Sequence, residues 1–124
     1  MKHRLCASVL PLAALLALPG LSLFAQESGG TLAKIARTGE FVIGYRTDSS
    51  PLSYENAAGE PAGYSVDICR RIAASINAHF DKQDIQTKFV RITSDERLSA
   101  VVDGKVDIEC GSTTITLSRQ ERVD

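Results

Sequence analysis

The 124-residue chain reads as an α/β protein with a mostly parallel sheet and helices on both of its faces. Three patterns predict this. Phe41-Val42-Ile43-Gly44-Tyr45 is a β-branched and aromatic run of strand length. Residues 65–79 place Val66, Ile68, Cys69, Ile72, Ala73 and Ile76 on one side of a helix, with Asp67, Arg70 and Arg71 mostly elsewhere. Two further strand-like runs, residues 85–92 and 106–110, are separated from their neighbours by helical stretches, as parallel pairing requires.

Taken in order, Thr31 is expected to cap a short helix with the apolar face Leu32, Ile35 and Ala36, ended by Gly39. The first strand then runs into Arg46. Residues 47–63 contain Pro51, Asn56, Gly59, Pro61 and Gly63, which makes them a loop or hairpin lying over the strand ends. After the long helix comes the alternating strand 85–92. Ser94 is placed as the N-cap of the next helix, Asp95 and Glu96 complement its positive end, and Leu98, Val101 and Val102 form its apolar face before Gly104. Val106-Asp107-Ile108-Glu109-Cys110 is the third strand, residues 113–116 continue extended, and a helix begins at Ser118.

The first 25 residues differ from the rest. Lys2, His3 and Arg4 precede an almost wholly apolar stretch that ends before the polar Gln26-Glu27-Ser28-Gly29-Gly30. That is the pattern of a cleaved secretory signal peptide, and Pro11, Pro19 and Gly20 argue against a membrane anchor. Cys6 has no small residues before it, which disfavours a lipid-attachment site. Residues 26–124 are then a single exported domain. Of 14 basic and 15 acidic residues, cleavage removes Lys2 and Arg4 and leaves a formal charge of −3. No broad basic surface of the kind nucleic acid needs is present. An oxidising compartment would permit a disulfide between Cys69 and Cys110. Two small buried thiols are the plainer alternative, and the spacing matches no metal motif. No cofactor is called for.

In parallel α/β folds, ligands bind at the carboxyl ends of the strands. Arg46 follows the first strand, Ser94 and Arg97 the second, and Ser112 and Thr114 the third, with Arg119 at a helix start. Guanidinium forks beside short hydroxyl donors suit planar carboxylates. Each residue has an ordinary alternative: Arg46 as a solvated loop arginine, Arg97 paired with Asp95 or Glu96, Arg119 as a surface charge beside Glu121 and Arg122, and Ser94 as a cap. The case for a site rests on their joint position.

Gly44-Tyr45-Arg46, Pro51-Leu52-Ser53-Tyr54, Gly63-Tyr64-Ser65-Val66-Asp67, Ile92-Thr93-Ser94-Asp95-Glu96-Arg97, Cys110-Gly111-Ser112-Thr113-Thr114 and Arg119 occur in that order. Together they resemble the first lobe of periplasmic polar amino-acid-binding proteins, the extracytoplasmic components of ABC importers, in particular their glutamate/aspartate-binding branch. The resemblance covers about residues 30–124. It implies that Arg119, Thr114 and Ser112 hold the ligand α-carboxylate and that Arg46, Ser94 and Arg97 hold the side-chain carboxylate. It also implies a monomer that delivers glutamate or aspartate to membrane permease subunits. Such proteins have two lobes closing by a hinge on the ligand, so the chain is expected to be the N-terminal part of that fold, truncated within lobe 1. The partner of the ligand ammonium would lie beyond it.

Two other uses of this fold compete. Exported dehydratases acting on cyclohexadienyl or arogenate substrates need an acid in the cleft; Asp48, Glu55 and Glu60 read as loop carboxylates in water, and neither His3 nor His79 is at a strand end. A sensor module of a larger receptor or lytic enzyme is the third possibility.

Overall fold

The computed structural model describes residues 29–81 and 84–123. The expected signal peptide, with Cys6 and His3, lies outside them. Helix α1 (Thr31–Thr38) leads into β1 (Glu40–Tyr45), the middle strand of a parallel sheet ordered β5-β1-β6, where β5 is Gln86–Arg91 and β6 is Ile108–Cys110. Between β1 and the long helix α2 (Tyr64–His79) the chain folds into three short antiparallel strands, β2 (Asp48–Ser49), β3 (Ser53–Glu55) and β4 (Pro61–Ala62). Helices α3 (Arg97–Val102) and α4 (Leu117–Gln120) flank β6 in sequence.

The period-two alternation of β1 divides the core into two layers. Phe41 and Ile43 point to one face and pack with Ile35 of α1 and Cys69 and Ala73 of α2. Val42 points to the other, where it meets Ala100 of α3, Ile92 and Val106. Helices on both faces are what the alternation of helix and strand foretold. Gly44 belongs to the second face: a Cβ there would stand 2.8 Å from Ile92 Cδ1 and 3.2 Å from both Val106 methyls, so the missing side chain lets the layer close.

Several local expectations shift. Thr31 is the first helical residue of α1; Gly30 is the N-cap and no side chain caps it. Gly39 ends the helix in the left-handed conformation, as its sequence position required. Ser94 does not cap α3. Glu96 stands at its N-cap with no side-chain cap bond; in the turn before it the Thr93 hydroxyl accepts from the Glu96 amide at 3.3 Å while Glu96 Oε2 accepts from the Thr93 amide at 3.2 Å and from its hydroxyl at 2.8 Å, a box of the capping type. The T-x-x-E spacing of a capping box was present in the sequence and fits Thr93 better than Ser94. The third strand is shorter than residues 106–110, because Asp107 turns its carboxylate to Lys34 at 2.8 Å and to the Val42 amide at 2.8 Å.

Cys69 and Cys110 are bonded to one another, not two separate thiols, across a Cα–Cα distance of 6.4 Å. Sequence alone left both options open, since the register that sets Cys110 beneath α2 is a tertiary property.

Candidate functional site

The carboxyl ends of β1 and β6 carry the candidate residues. Arg46 directly follows β1 and is only 8% exposed. Its amide donates to Ser53 Oγ at 2.9 Å, and Ser53 Oγ donates back to the Arg46 carbonyl at 3.2 Å, so β3 fixes the backbone where the sheet ends. The Arg46 guanidinium donates to Asp48 Oδ1 at 2.7 Å. Neither residue is therefore simply a solvated loop charge. Glu55 also departs from expectation. Tyr45, buried at the end of β1, donates its hydroxyl to Glu55 Oε1 at 2.6 Å, and Arg91 Nε donates to the same oxygen. The Arg91 guanidinium and the Tyr45 hydroxyl hold the Glu55 carboxyl below its ordinary value; burial and the neighbouring Glu55 raise the Tyr45 hydroxyl. This cluster straps the small antiparallel sheet to the ends of β1 and β5.

On the α3 face, Arg97 donates to Ser94 Oγ at 2.9 Å rather than pairing with Asp95 or Glu96. Arg119 donates from Nη1 to the Thr114 carbonyl at 2.7 Å and to Thr114 Oγ1 at 3.2 Å. Arg97, Thr114 and Arg119 share the wall of a hollow of about 330 Å³ with Leu98, Val101 and Ile115. Arg46, Ser94 and Ser112 are not part of that wall. Ser112 is exposed, and Ser94 adjoins the wall only through Arg97.

One residue with no expected role stands in the middle of the group. Alternation along β6 points Ile108 and Cys110 toward α2 and Glu109 toward the α3 face, beside Gly44 in the strand register. The Glu109 side chain bends back over Gly111. A Cβ on Gly111 would overlap Glu109 Oε1 and stand 3.1 Å from Arg46 Cγ, so the Arg46 stem and the Glu109 carboxylate flank one glycine. Glu109 also lines the hollow with Arg97 and Arg119. Burial pushes its carboxyl above the ordinary value, against the pull of the Thr113 hydroxyl and of the charges of Arg97, Arg46 and Arg119. The pull from Thr113 is that of a close hydroxyl only, since neither Glu109 Oε1 nor Thr113 Oγ1 completes a hydrogen bond. Glu109 was not among the acids weighed from the sequence, which were Asp48, Glu55 and Glu60. Its signal in the sequence was an acid at an inward-alternating strand position, two residues before a glycine and a hydroxyl run.

The arrangement offers two cationic forks, Arg97 and Arg119, on the wall of one hollow with Glu109, and a third, Arg46, whose stem adjoins Gly111 beside the Glu109 carboxylate. Such a group can hold anionic oxygens through charge-assisted hydrogen bonds. Among the described residues there is no cluster of three or more His, Cys, Asp or Glu suited to a metal, and no helix long and apolar enough to cross a membrane.

Comparison with known proteins adds the following. Residues 41–124 match the family described as bacterial extracellular solute-binding proteins, family 3. An L-glutamate/L-aspartate-binding protein of Pseudomonas aeruginosa is 37% identical over 122 residues, covering 98% of this chain and 40% of the relative. A glutamate/aspartate import solute-binding protein of Salmonella typhimurium is 40% identical over 98 residues, covering 79% of this chain and 32% of the relative. The chain thus spans a third to two-fifths of the length of these relatives. Among solved structures, the cysteine-binding protein of Campylobacter jejuni superposes with a TM-score of 0.66 at 29% identity, over 77% of this chain and 37% of that one. An ancestral cyclohexadienyl dehydratase superposes with a TM-score of 0.64 at 26% identity, over 76% of this chain and 36% of that one.

Proposed function

The chain belongs to the bacterial extracellular solute-binding proteins of family 3, and on that footing we propose that it forms part of an exported, monomeric binding protein that captures glutamate or aspartate for an ABC importer. The permease subunits of that importer are its protein partners. In this reading Arg119, Thr114 and Ser112 take the α-carboxylate, and Arg46, Ser94 and Arg97 take the side-chain carboxylate. The protein is not an enzyme.

The observation that carries the reading is geometric: Arg97 and Arg119 line one hollow with Glu109, and the Arg46 stem and the Glu109 carboxylate flank Gly111. Two carboxylates on a ligand call for at least two such partners, each contributing about 1.5–3 kcal/mol. A neutral amino acid leaves guanidinium groups without partners, and a cationic one adds like charge, so selection follows from rejection as well as attraction. The names of the relatives at 37% and 40% identity point the same way.

The test is calorimetric titration of the full-length product of the reading frame containing this chain, with glutamate, aspartate, glutamine, arginine and histidine. The two acidic amino acids are expected to bind in preference to the others. Binding of arginine or histidine without either dicarboxylate overturns the proposal. So does release of an aromatic product from a cyclohexadienyl substrate, which would restore the dehydratase reading.

A further inference from the structure

We infer that Glu109 determines specificity at this site as a built-in counter-anion, tuning the cluster of Arg46, Arg97 and Arg119 to accept a dicarboxylate that also carries an ammonium group and to reject one that does not. The inference rests on the acidic-ligand reading above.

The groups that face Glu109 can be named element by element. Arg46 comes from the end of β1, and Asp48 of β2 is bonded to it. Arg97 comes from α3 and Arg119 from α4; both line the hollow together with Glu109. The Thr113 hydroxyl comes from the segment after β6. Asp107 lines the same wall, but its oxygens are committed to Lys34 and to the Val42 amide. With Glu109 ionised, three guanidiniums against Glu109 and Asp48 leave this chain's share of the site with one net positive charge. Glutamate and aspartate at neutral pH carry one net negative charge, from two carboxylates and one ammonium. Plain dicarboxylates such as glutarate carry two. The match is to the amino acid.

Glu109 is placed for this work and for no visible structural bond. Oε1 is buried and lacks a hydrogen-bond partner, while all three arginines spend their resolved hydrogen bonds elsewhere, on Asp48, Ser94 and Thr114. An acceptor without a donor, set beside these cations, attracts a ligand ammonium and repels an extra carboxylate, adding to the ammonium partner expected beyond this chain. Its protonation would erase the distinction. Burial already favours the protonated form, and the second negative charge of glutarate favours it further. Binding of glutarate should therefore draw a proton onto Glu109 and strengthen as pH falls.

Glutamate and glutarate are the probes, titrated calorimetrically into the full-length protein and its Glu109→Gln variant. The unsubstituted protein is expected to prefer glutamate, and the variant to lose that preference by on the order of tenfold, as one elementary charge at close range dictates. Without any substitution, the preference should also shrink as pH falls while both ligands keep their carboxylates ionised, because protonation of Glu109 removes the counter-anion. An unchanged ratio in the folded variant, or a ratio independent of pH in the unsubstituted protein, overturns the inference. Failure of glutamate to bind at any pH instead overturns the functional reading, and this inference falls with it.

Discussion

Arg46 and Arg119 are held in different ways, the first by a carboxylate and the second by a carbonyl and a hydroxyl. Arg46 is 8% exposed and held by Asp48, so its geometry is set before any ligand arrives. Arg119 is more open and is held only by Thr114 of its own loop. If the first takes the ligand side chain and the second the α-carboxylate, substitutions should separate them. Arg119→Ala is expected to abolish binding of every amino acid; Arg46→Ala should weaken glutamate and aspartate by about 1.5–3 kcal/mol and glutamine by less. Calorimetry on the two variants with these three ligands checks this, and equal losses throughout would show the two ends to be exchanged. The arginines were legible in the sequence because residues that end strands are countable from the pattern. Glu109 was marked only as an acid at an alternating strand position before a glycine and a hydroxyl run, and nothing local in that pattern says that distant cations will adjoin it.

Among the elements, α3 decides where Arg97 stands. It is only six residues long, too short to persist on its own propensity. Burial of Ala100 against Ile92 and Val106 holds it, and the Thr93–Glu96 box braces the turn that leads into it. The box also keeps the Glu96 carboxyl below its ordinary value, the Thr93 hydroxyl and amide being the main cause. Thr93→Ala should lower the thermal midpoint by a few degrees and, by loosening the turn that presents Ser94 and Arg97, weaken acidic-ligand binding. Thr93→Ser should restore both, since serine keeps the hydroxyl of the box. Thermal unfolding and calorimetry on the pair provide the measurement. The strap formed by Tyr45, Glu55 and Arg91 does comparable work for the small antiparallel sheet, joining a hairpin predicted only as loop or hairpin to the strand ends it overlies.

At the scale of the molecule, two bonds connect layers that share no sequence neighbourhood. Lys34 of α1 reaches Asp107 before β6, and Cys69 of α2 is bonded to Cys110 at the end of β6. The disulfide closes a loop across a sequence separation of 41 residues and stands directly before Gly111, the glycine flanked by Arg46 and Glu109. Ser65 reinforces the same corner by donating to the Gly111 carbonyl at 2.8 Å. Replacing both cysteines by alanine should cost about 2–4 kcal/mol of stability, read as a lower urea midpoint, and should weaken ligand binding through the Gly111 corner. An unchanged midpoint would show that the bond adds nothing to folding. What the amino-acid order determined by itself was the succession of helices and strands, the two-faced parallel sheet and the strand-end positions of the arginines, because hydrophobic period and glycine placement act over a few residues. Only the tertiary structure decided that Cys69 meets Cys110, that Arg97, Arg119 and Glu109 share a hollow, and that the Arg46 stem and the Glu109 carboxylate flank Gly111. Those facts are distances between segments tens of residues apart, fixed by strand register and side-chain packing, and no local pattern encodes them.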